Sequence, residues 1–256
     1  MCPPLTPEDK SFRIGASVLH DVQLISMPRT PAHPLAKHPL DNLPKGFKCS
    51  APVWHRPFLH TLMLEASLKQ CGTYVKGVTL DVGCGRKPYE KTFFAGAEKY
   101  VGMDYLTDRS APDVVGSATD IPLPDASFDT VVCTEVLEHV SEPLKALREM
   151  YRVLKPGGRL ILSTPMYWPR HEVPYDYFRY PYDGLLHLIK SSGFELTELF
   201  NRGRSYAFIG VVIQSIHPIR WKPVTWFVNR FFLWCDTHLK HDFHTLGWTF
   251  VAQRPK

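Results

Sequence analysis

The chain has 256 residues, of which 44% are hydrophobic and 21% charged. This composition fits one well-cored globular domain with attachments, and it excludes a wholly disordered or fibrous chain. The longest uncharged apolar stretch, residues 205–219, has fifteen residues and falls short of the ~20 that cross a bilayer. The first ten residues contain two acids and no apolar segment, so we expect no secretory or transit signal and a cytoplasmic protein.

The cysteine spacing argues against two classes of protein, and the charge distribution distinguishes the C-terminal segment from the rest of the chain. The six cysteines show no C-x-x-C pair, which argues against a disulfide framework or a zinc ribbon. The net charge of +5 is uneven, because residues 201–256 hold eight Lys and Arg against two acids and 11 of the 32 aromatic residues. The basic, aromatic character therefore belongs to the C-terminal segment.

The N-terminal region differs from the rest of the chain in its proline content. Ten of the 23 prolines fall within the first 57 residues, which predicts an extended arm over residues 1–54 ahead of a domain over 55–256. Apolar positions in Arg56–Gln70 then recur with a helical period and predict one helix.

Short apolar runs follow, separated by turns or helical segments. Each is rich in Val, Ile and Leu and too short for a helix, which is typical of a parallel sheet buried on both faces. The runs are 78–83, 100–104, 113–116, 129–134, 159–164, 194–200 and 248–252. A helix capped by Ser141 and ended by Gly157 is predicted before the fifth run, and another runs from a cap at Asp183 to Gly193.

Glycines and acids stand where the first two strands end. The motif Asp81-Val-Gly83-Cys-Gly85 follows the first strand, and Asp104 ends the second. Glycines let a ligand approach the backbone, and a carboxylate can accept both ribose hydroxyl protons, so the pattern indicates nucleoside binding. A dinucleotide site with the pattern G-x-G-x-x-G would have its third glycine where Pro88 stands, which disfavours a nicotinamide oxidoreductase.

Four spaced motifs together resemble one family. They are LDVGCG, the strand-ending Asp104, ATDIPLPDASFDTVVCTEVLEHV and LREMYRVLKPGGRLILSTP. In this order, over residues 77 to about 200, they resemble the class I S-adenosylmethionine-dependent methyltransferases with D-x-G-C-G and L-K-P-G-G signatures. The resemblance implies S-adenosylmethionine as cofactor and an α/β, Rossmann-like sheet of seven strands, order 3-2-1-4-5-7-6, with the last strand antiparallel. The methyltransferase domain would then cover 55–256, with a helical aromatic and basic insertion at 202–245.

The resemblance also implies which residues hold the cofactor. Asp81, Gly83 and Gly85 would line its methionine end, and Asp104 would hold the ribose. Thr119, Asp120 and Ile121 would flank the adenine, and Thr134 and Glu135 would lie under the sulfonium. The expected cofactor-binding set also includes Cys84 and Tyr105, which stand beside these residues in the sequence.

The loop after the fifth strand carries the candidate acceptor site. Its H-x-x-P-x-D-Y-F-R run, His171 to Arg179, resembles family members associated with glycan and polysaccharide biosynthesis. His171 can take a proton near neutral pH, and Asp176 could orient it, so both are candidate catalytic residues together with His139. Tyr167, Tyr175, Tyr177 and Arg179 are the candidate acceptor contacts. The alternative is a packed aromatic lid in which Arg179 and Asp176 pair with each other.

These features favour methyl transfer to a hydroxyl of a sugar, glycolipid or similar small acceptor. Two alternatives stay open, an N- or C-methyltransferase of a natural product and a catalytically silent cofactor-binding module. We expect a small-molecule or glycan acceptor and no nucleic acid, because bulky apolar residues interrupt the basic tail.

Residues 206–239 predict two helices with an aromatic surface. Trp221, Trp226, Phe227, Phe231, Phe232 and Trp234, with Arg220, Lys222 and Arg230, would suit a peripheral contact with an anionic membrane. A cap over the acceptor pocket or a dimer face is the alternative. The H-x-x-H-x-x-H run from His238 to His244 turns its side chains apart on a helix, so we expect no metal there or elsewhere.

Overall fold

Seven strands form one mixed sheet in the computed structural model, which describes residues 36–44, 46–108, 110–216 and 221–256. The strands are β1 (Val78–Val82), β2 (Lys99–Asp104), β3 (Val114–Val115), β4 (Phe128–Thr134), β5 (Leu154–Pro165), β6 (Glu195–Asn201) and β7 (Gly247–Gln253). Their order is β3-β2-β1-β4-β5-β7-β6. Neighbours are parallel, except that β7 is antiparallel to both β5 and β6. The predicted fold class and strand order are confirmed.

Five helices accompany the sheet in the described ranges. They are α1 (Phe58–Cys71), α2 (Pro143–Val153), α3 (Tyr182–Ser191), α4 (Ser205–Ile216) and α5 (Lys222–Leu239). A short 3-10 helix also follows β4 at Leu137–His139. Helices α4 and α5 lie between β6 and β7, where the sequence predicted two helices. None of the described helices is long and apolar enough to cross a membrane.

The ends of two helices differ from the prediction. Helix α2 ends at Val153 and not near Gly157, because Leu154 is already extended and pairs with Phe128 of β4. Pro156 restricts the residue before it to extended conformations, so the helix could not continue to the glycines. The predicted caps were also wrong: α2 follows Glu142 without a side-chain cap, and α3 starts at Tyr182 with Asp183 inside its first turn.

Apolar layers cover the sheet on both faces. Leu64 and Leu68 of α1 pack with Val132, Ile161 and Val251 on one face. The opposite face carries α2 and α3, whose buried residues Leu147, Met150, Leu185 and Ile189 pack with Leu80, Val131, Leu160 and Phe250. The central strands are therefore buried on both sides, as a parallel sheet requires.

The last part of the predicted N-terminal arm joins the edge of the sheet. The Lys37 amide donates to the Leu199 carbonyl at 2.9 Å, and the Lys37 carbonyl accepts from Asn201 at 3.0 Å. The buried His38 ring lies 3.2 Å from Asp236 of α5. Residues 1–35 and Lys45, which belong to the predicted arm, and Arg220 lie outside the described residues.

Candidate active site

The carboxyl ends of β1, β2 and β4 open on a cleft of about 680 Å³. The chain order of the strands reverses between β1 and β4, and such a switch point is where open α/β sheets bind ligands. The cleft is large enough for a nucleoside-sized ligand. Ten of the predicted site residues line it: Gly83, Gly85, Asp104, Tyr105, Thr119, Glu135, His139, His171, Tyr175 and Tyr177.

The loop after β1 needs glycine at two positions for different reasons. Gly83 has φ 74°, and a Cβ there would lie 2.4 Å from Val136 Cγ2. Gly85 has φ 51°, but a Cβ there would meet no atom within 4 Å. The first glycine therefore permits tight packing of the loop, whereas the second leaves backbone open to a ligand in the cleft.

Lys87 occupies the position of the third glycine in the common D-x-G-x-G-x-G form of this loop. Its φ of 54° is the left-handed conformation that glycine adopts most easily. The Lys87 ammonium lies 2.8 Å from Asp113 Oδ1, and the other oxygen of Asp113 accepts from the Gly102 amide at 2.7 Å. The ion pair thus fixes the loop against β2 despite the unfavourable backbone.

Asp104 is presented to the cleft by backbone donors on either side. Its Oδ2 accepts from the Gly85 amide at 3.0 Å and its Oδ1 from the Leu106 amide at 2.9 Å. Each carboxylate oxygen has a second acceptor site. A carboxylate held in this way can accept from two vicinal hydroxyls, as on a ribose.

Asp81 lies behind the glycine loop, buried and outside the cleft lining. The Tyr100 hydroxyl donates to Asp81 Oδ2, whereas Oδ1 is buried without a partner. Burial raises the pKa of Asp81 to about 7, although the Tyr100 bond lowers it and the charge of Asp104 raises it again. Asp81 Oδ1, which has no partner and lies just before the glycine loop, is suited to bind an ammonium group, such as that of the methionine part of S-adenosylmethionine.

Several predicted cofactor contacts are placed elsewhere. Asp120 is exposed and its amide bonds to the Ser117 carbonyl, while Ile121 is buried in the core. Thr134 does not line the cleft, and the Cys84 side chain packs against Gly102. The adenine end is lined instead by backbone and small side chains at residues 116–119. These four residues lie outside the cleft lining, so their cofactor contacts stay predictions.

Glu135, at the end of β4, belongs to a buried ionic network. Arg202 Nη1 lies 3.0 Å from Glu135 Oε1, and His60 Nε2 lies 3.5 Å from Oε2. Ser163 Oγ donates to Oε1 at 2.9 Å. Burial would raise the pKa of Glu135, but Arg202, His60 and Ser163 outweigh it and lower the pKa to about 2. Glu135 therefore supplies a fixed negative charge at the cleft, with its φ of 53° held by this network.

Sequence reasoning missed His60, Arg202 and Glu138. His60 and Arg202 come from α1 and the segment after β6, 75 and 67 residues from Glu135, so no local pattern links them. Glu138 had a local signal, because the run Glu135-x-x-Glu138-His139 places two acids and a histidine on one turn at the sheet edge.

Two histidines meet at the end of the cleft opposite the glycine loop. The rings of His139 and His171 are 4.6 Å apart, centroid to centroid, in an edge-to-face arrangement. His139 Nδ1 donates to the Tyr175 carbonyl at 2.7 Å, and His171 Nδ1 to the Pro169 carbonyl at 3.1 Å. Each ring therefore keeps Nε2 as its basic nitrogen.

Asp176 and Arg179 pair with each other, which is the alternative that the sequence left open. Arg179 donates to Asp176 at 2.6 and 2.9 Å, which holds the pKa of Asp176 well below its usual range. Asp176 Oδ2 accepts from the His171 amide at 3.0 Å, so it orients the loop that carries His171. Neither Asp176 nor Arg179 lines the cleft.

Tyr167 is the remaining predicted acceptor contact. It packs edge-to-face on Phe208 of α4 and its hydroxyl lies 3.2 Å from Ser215. It lies outside the cleft lining, so the described contacts of Tyr167 are with α4 and its acceptor contact stays a prediction. Tyr175 and Tyr177 remain as aromatic contacts beside the histidines.

Comparisons with known proteins identify a methyltransferase domain in the chain. Residues 80–162 match the family model described as a methyltransferase domain. The chain is 29% identical over 173 residues to a demethylmenaquinone methyltransferase of Renibacterium salmoninarum, covering 64% of this chain and 73% of that one. It is 36% identical over 125 residues to a ubiquinone/menaquinone biosynthesis C-methyltransferase of Vibrio parahaemolyticus, which spans 46% of this chain and 44% of the relative.

Solved structures share the fold at low sequence identity. The [4+2]-cyclase SpnF has a TM-score of 0.52 and 22% identity, with 81% of this chain and 85% of that chain covered. An S-adenosylmethionine-dependent methyltransferase from Mesorhizobium loti has a TM-score of 0.50 and 16% identity, with 77% and 100% covered. Because one of these proteins is titled a cyclase, the fold alone does not define the reaction.

The fold and the glycine-carboxylate cleft define the class I methyltransferase architecture. The match of residues 80–162 to a methyltransferase domain, and the methyltransferases among its relatives, indicate S-adenosylmethionine-dependent methyl transfer. The residues present fit the cofactor, because Gly85 leaves an open backbone, Asp104 presents two acceptor oxygens and Asp81 has a buried oxygen without a partner.

Proposed function

We propose that this methyltransferase acts on a hydroxyl of a sugar, glycolipid or similar small acceptor. The observation that carries the proposal is the histidine end of the cleft, where His139 and His171 each keep a basic Nε2. A hydroxyl must lose its proton during methylation, and imidazole is the side chain best matched to that task near neutral pH.

The rest of this end of the cleft suits a polar acceptor. Tyr175 and Tyr177 line it and are 53% and 46% exposed, so their rings are free to stack on the face of a sugar. Glu172 and Ser141 add polar atoms to the same lining. This mixture of hydroxyl, carboxylate and ring surfaces is the usual composition of a site for a polyhydroxylated ligand.

The chain's own groups then mainly position the reactants. S-adenosylmethionine would be held by Gly85, Asp104 and Asp81 and would supply a methyl group on a sulfonium, ready for transfer to the acceptor oxygen. Glu135 lines the cleft with a fixed negative charge, which favours a cationic ligand. The hydroxyl proton leaves at the histidine end and passes to solvent. In-line positioning and removal of this proton are the two contributions required of the protein.

A second candidate is methylation of a ring carbon in a quinol-type acceptor. The names of two relatives favour it, since one is a demethylmenaquinone methyltransferase and the other a ubiquinone/menaquinone biosynthesis C-methyltransferase. Such an acceptor also loses a proton, so the same histidines would serve it. The polar lining of the acceptor end favours the first candidate.

The test is transfer of an isotopically labelled methyl group to two acceptor panels. One panel contains nucleoside-diphosphate sugars and glycolipids, and the other contains reduced naphthoquinones that lack the ring methyl. We expect an O-methyl product from the first panel, located by fragmentation mass spectrometry. Label found only on a ring carbon would overturn the proposal in favour of the second candidate.

Two histidine variants provide the matched controls. His171→Ala should lower turnover by roughly 100-fold, the usual contribution of a group that handles the acceptor proton. His187→Ala changes an exposed histidine on α3 that does not line the cleft, and it should leave the rate unchanged. Equal rates for the two variants would show that His171 takes no part in the reaction.

A further inference from the structure

Glu138 is a buried carboxylate at the histidine end whose two oxygens accept no hydrogen bond in the described structure. Its residue is 0% exposed, and both carboxylate oxygens are buried without a hydrogen-bond partner. The two neighbouring carboxylates, Glu135 and Asp176, have guanidinium partners in Arg202 and Arg179. An uncompensated buried carboxylate is costly, so this position calls for a positive partner.

The groups nearest to Glu138 are the two histidines of the cleft. Glu138 Oε1 lies 3.9 Å from His139 Nε2. One ligand atom each from Glu138, His139 and His171 lie within 4.8 Å of one another. A single ion could reach all three after small side-chain rotations, because metal–ligand bonds of about 2.1 Å place ligand atoms roughly 3–4 Å apart.

The hydrogen bonds of both rings are those of metal-ligating histidines. Nδ1 of His139 and Nδ1 of His171 donate to backbone carbonyls, those of Tyr175 and Pro169. A bond of this kind fixes the tautomer and orients the ring with the lone pair of Nε2 free. Two oriented imidazoles and one carboxylate form a three-ligand set that leaves other coordination positions open.

We propose that Glu138, His139 and His171 bind a divalent transition-metal cation, of the Mn²⁺ or Zn²⁺ type, at the acceptor end of the cleft. The cation supplies the missing positive charge. The sequence analysis expected no metal in the chain. The proposed site departs from that expectation, and it is separate from the His238–His244 run.

The role of the cation, though not its binding, rests on the proposed function. His139 and His171 line the cleft, so an ion between them would be open to an acceptor oxygen. A hydroxyl bound to the ion has a lower pKa, loses its proton to water and keeps its lone pair for the methyl group. The two histidines would then act on the acceptor through the ion, so His171→Ala is still expected to lower turnover.

Direct metal binding tests the site without an assay of methyl transfer. Chelator-treated protein is titrated with MnCl₂, and free Mn²⁺ is followed by electron paramagnetic resonance, with calorimetry of ZnCl₂ as a second probe. We expect one tight site per chain. Glu138→Gln keeps the shape of the side chain, and it should weaken binding at least ~10-fold, as should His171→Gln.

Two controls keep the result interpretable. His187→Gln removes an exposed histidine far from the three ligands in sequence, and His238→Gln removes one from the C-terminal histidine run; both should bind as the unchanged chain does. Absence of a saturable site, or equal binding by the Glu138→Gln and unchanged proteins, would overturn the proposal. Metal binding without O-methylation would reject the proposed function alone.

A second inference concerns the outer face of α5, which is defined here by its exposed aromatic residues Trp221, Trp226, Phe227, Phe231 and Trp234. These side chains are 46–69% exposed. The opposite face is buried through Thr225, Asn229 and Cys235. Five large aromatic side chains facing solvent on one helix are far more than a surface carries by chance.

The charges of the helix identify the kind of surface that it fits. Lys222 and Arg230 are exposed on the same side as the aromatic residues. The only acid in the sequence of α5 is Asp236, which is fully buried and accepts from the Arg204 and Ala207 amides. The outer face is therefore apolar and cationic without a carboxylate, which is the pattern of a helix at an anionic lipid surface.

We infer that the outer face of α5 binds the headgroup region of an anionic membrane. Sedimentation with vesicles tests this, using phosphatidylcholine with or without phosphatidylglycerol. The chain should sediment with the anionic vesicles, and Phe227→Ser/Phe231→Ser should reduce binding at least ~10-fold. Trp54→Ser, which changes an exposed aromatic residue outside the helix, should not.

Light scattering separates the membrane from a second copy of the chain as occupant. If the unchanged chain sediments with neither kind of vesicle, the membrane inference is wrong. If it forms a dimer that the double serine variant abolishes, the face belongs to a second copy and the membrane assignment is overturned.

Discussion

Individual residues at the cleft are held by neighbours whose contribution can be measured separately. Asp104 receives two amide donors, Asp81 has one hydroxyl donor, and Glu135 has a guanidinium and an imidazole beside it. The three carboxylates therefore differ in charge state and in freedom to meet a ligand. A separate prediction follows for each environment.

Asp104→Ala should weaken S-adenosylhomocysteine binding by at least about 1.4 kcal/mol, a tenfold change in Kd, because the ribose loses its acceptor. Calorimetric titration gives the Kd directly. Asp104→Asn retains one acceptor oxygen, so its Kd should lie between those of the unchanged chain and Asp104→Ala. Asp183→Ala, an exposed acid on α3, is the control. An unchanged Kd for Asp104→Ala would contradict the nucleoside assignment.

Asp81 should make the folded state less stable as the pH rises. Its pKa is raised from 3.8 to about 7, so between these values the folded chain binds more protons than the unfolded chain, and the free energy of unfolding falls with increasing pH. Asp81→Asn removes this dependence. Urea unfolding gives the free energy of unfolding of both proteins. The value for the variant minus the value for the unchanged chain should rise by about 2–3 kcal/mol between about pH 5 and pH 8. If the two proteins differed in free energy of unfolding by the same amount at both pH values, the raised pKa of Asp81 would be refuted.

Removal of Arg202 should show how much its ion pair with Glu135 contributes to stability. Arg202→Met leaves Glu135 without its guanidinium partner and should lower the free energy of unfolding by about 3 kcal/mol. Glu135→Gln combined with Arg202→Met should cost less than the sum of the two single changes, since no unpaired carboxylate remains. Chemical denaturation of the four proteins provides the cycle. Strict additivity would mean that the two side chains do not interact.

At the scale of elements, the ends of parallel strands decide which loops meet. The loops after β1, β2 and β4 form the cofactor end of the cleft, and the loop after β5 brings His171 to His139 after β4. The backbone is strained where these loops turn, with φ of 53° at Glu135 and 54° at Lys87. Both strained residues are held by ion pairs, so side-chain charge fixes conformations that their backbones would otherwise avoid.

The glycine loop permits a matched pair of substitutions. Gly83→Ala places a Cβ 2.4 Å from Val136, and it should lower stability by at least ~2 kcal/mol. Gly85→Ala meets no atom and should cost only about 1 kcal/mol for its positive φ. Thermal unfolding compares the two variants, and calorimetry should show that Gly85→Ala still weakens cofactor binding. The reverse order of stability would contradict the loop geometry.

At the scale of the whole molecule, a segment far from the cleft completes the sheet edge and the insertion. Lys37 pairs with β6, His38 contacts Asp236, and Asp41 lies 3.4 Å from Arg204. These contacts connect the described end of the N-terminal region to β6, α5 and the segment before α4. None of these residues lines the cleft.

A chain that begins at Phe47 should therefore be less stable than one that begins at Ala36. We expect the melting temperature to fall by at least ~5 °C, because about 2 kcal/mol of edge pairing and ion pairs is lost. The Kd for S-adenosylhomocysteine should be the same for both chains. A weaker cofactor affinity in the shorter chain would show that residues 36–46 also shape the cleft.

The sequence by itself determined the strand positions, the strand order through a family resemblance, and the cofactor loop. Apolar periodicity and glycine placement are local properties, so six of the seven strands could be predicted within a residue or two. The exception is β5, which begins at Leu154, five residues before the predicted run. The end of α2 could not be predicted, because Pro156 and the pairing of Leu154 with Phe128 overrode the helical period.

Only the tertiary structure decided which side chains face the cleft. Asp120 and Ile121 follow the right strand but point to solvent and to the core, and Tyr167 packs on α4. Arg202 and His60 reach Glu135 across most of the fold, and the folded loop after β5 brings His171 beside His139 and the buried Glu138. Rotamers and long-range contacts depend on packing between distant segments, which no local pattern encodes.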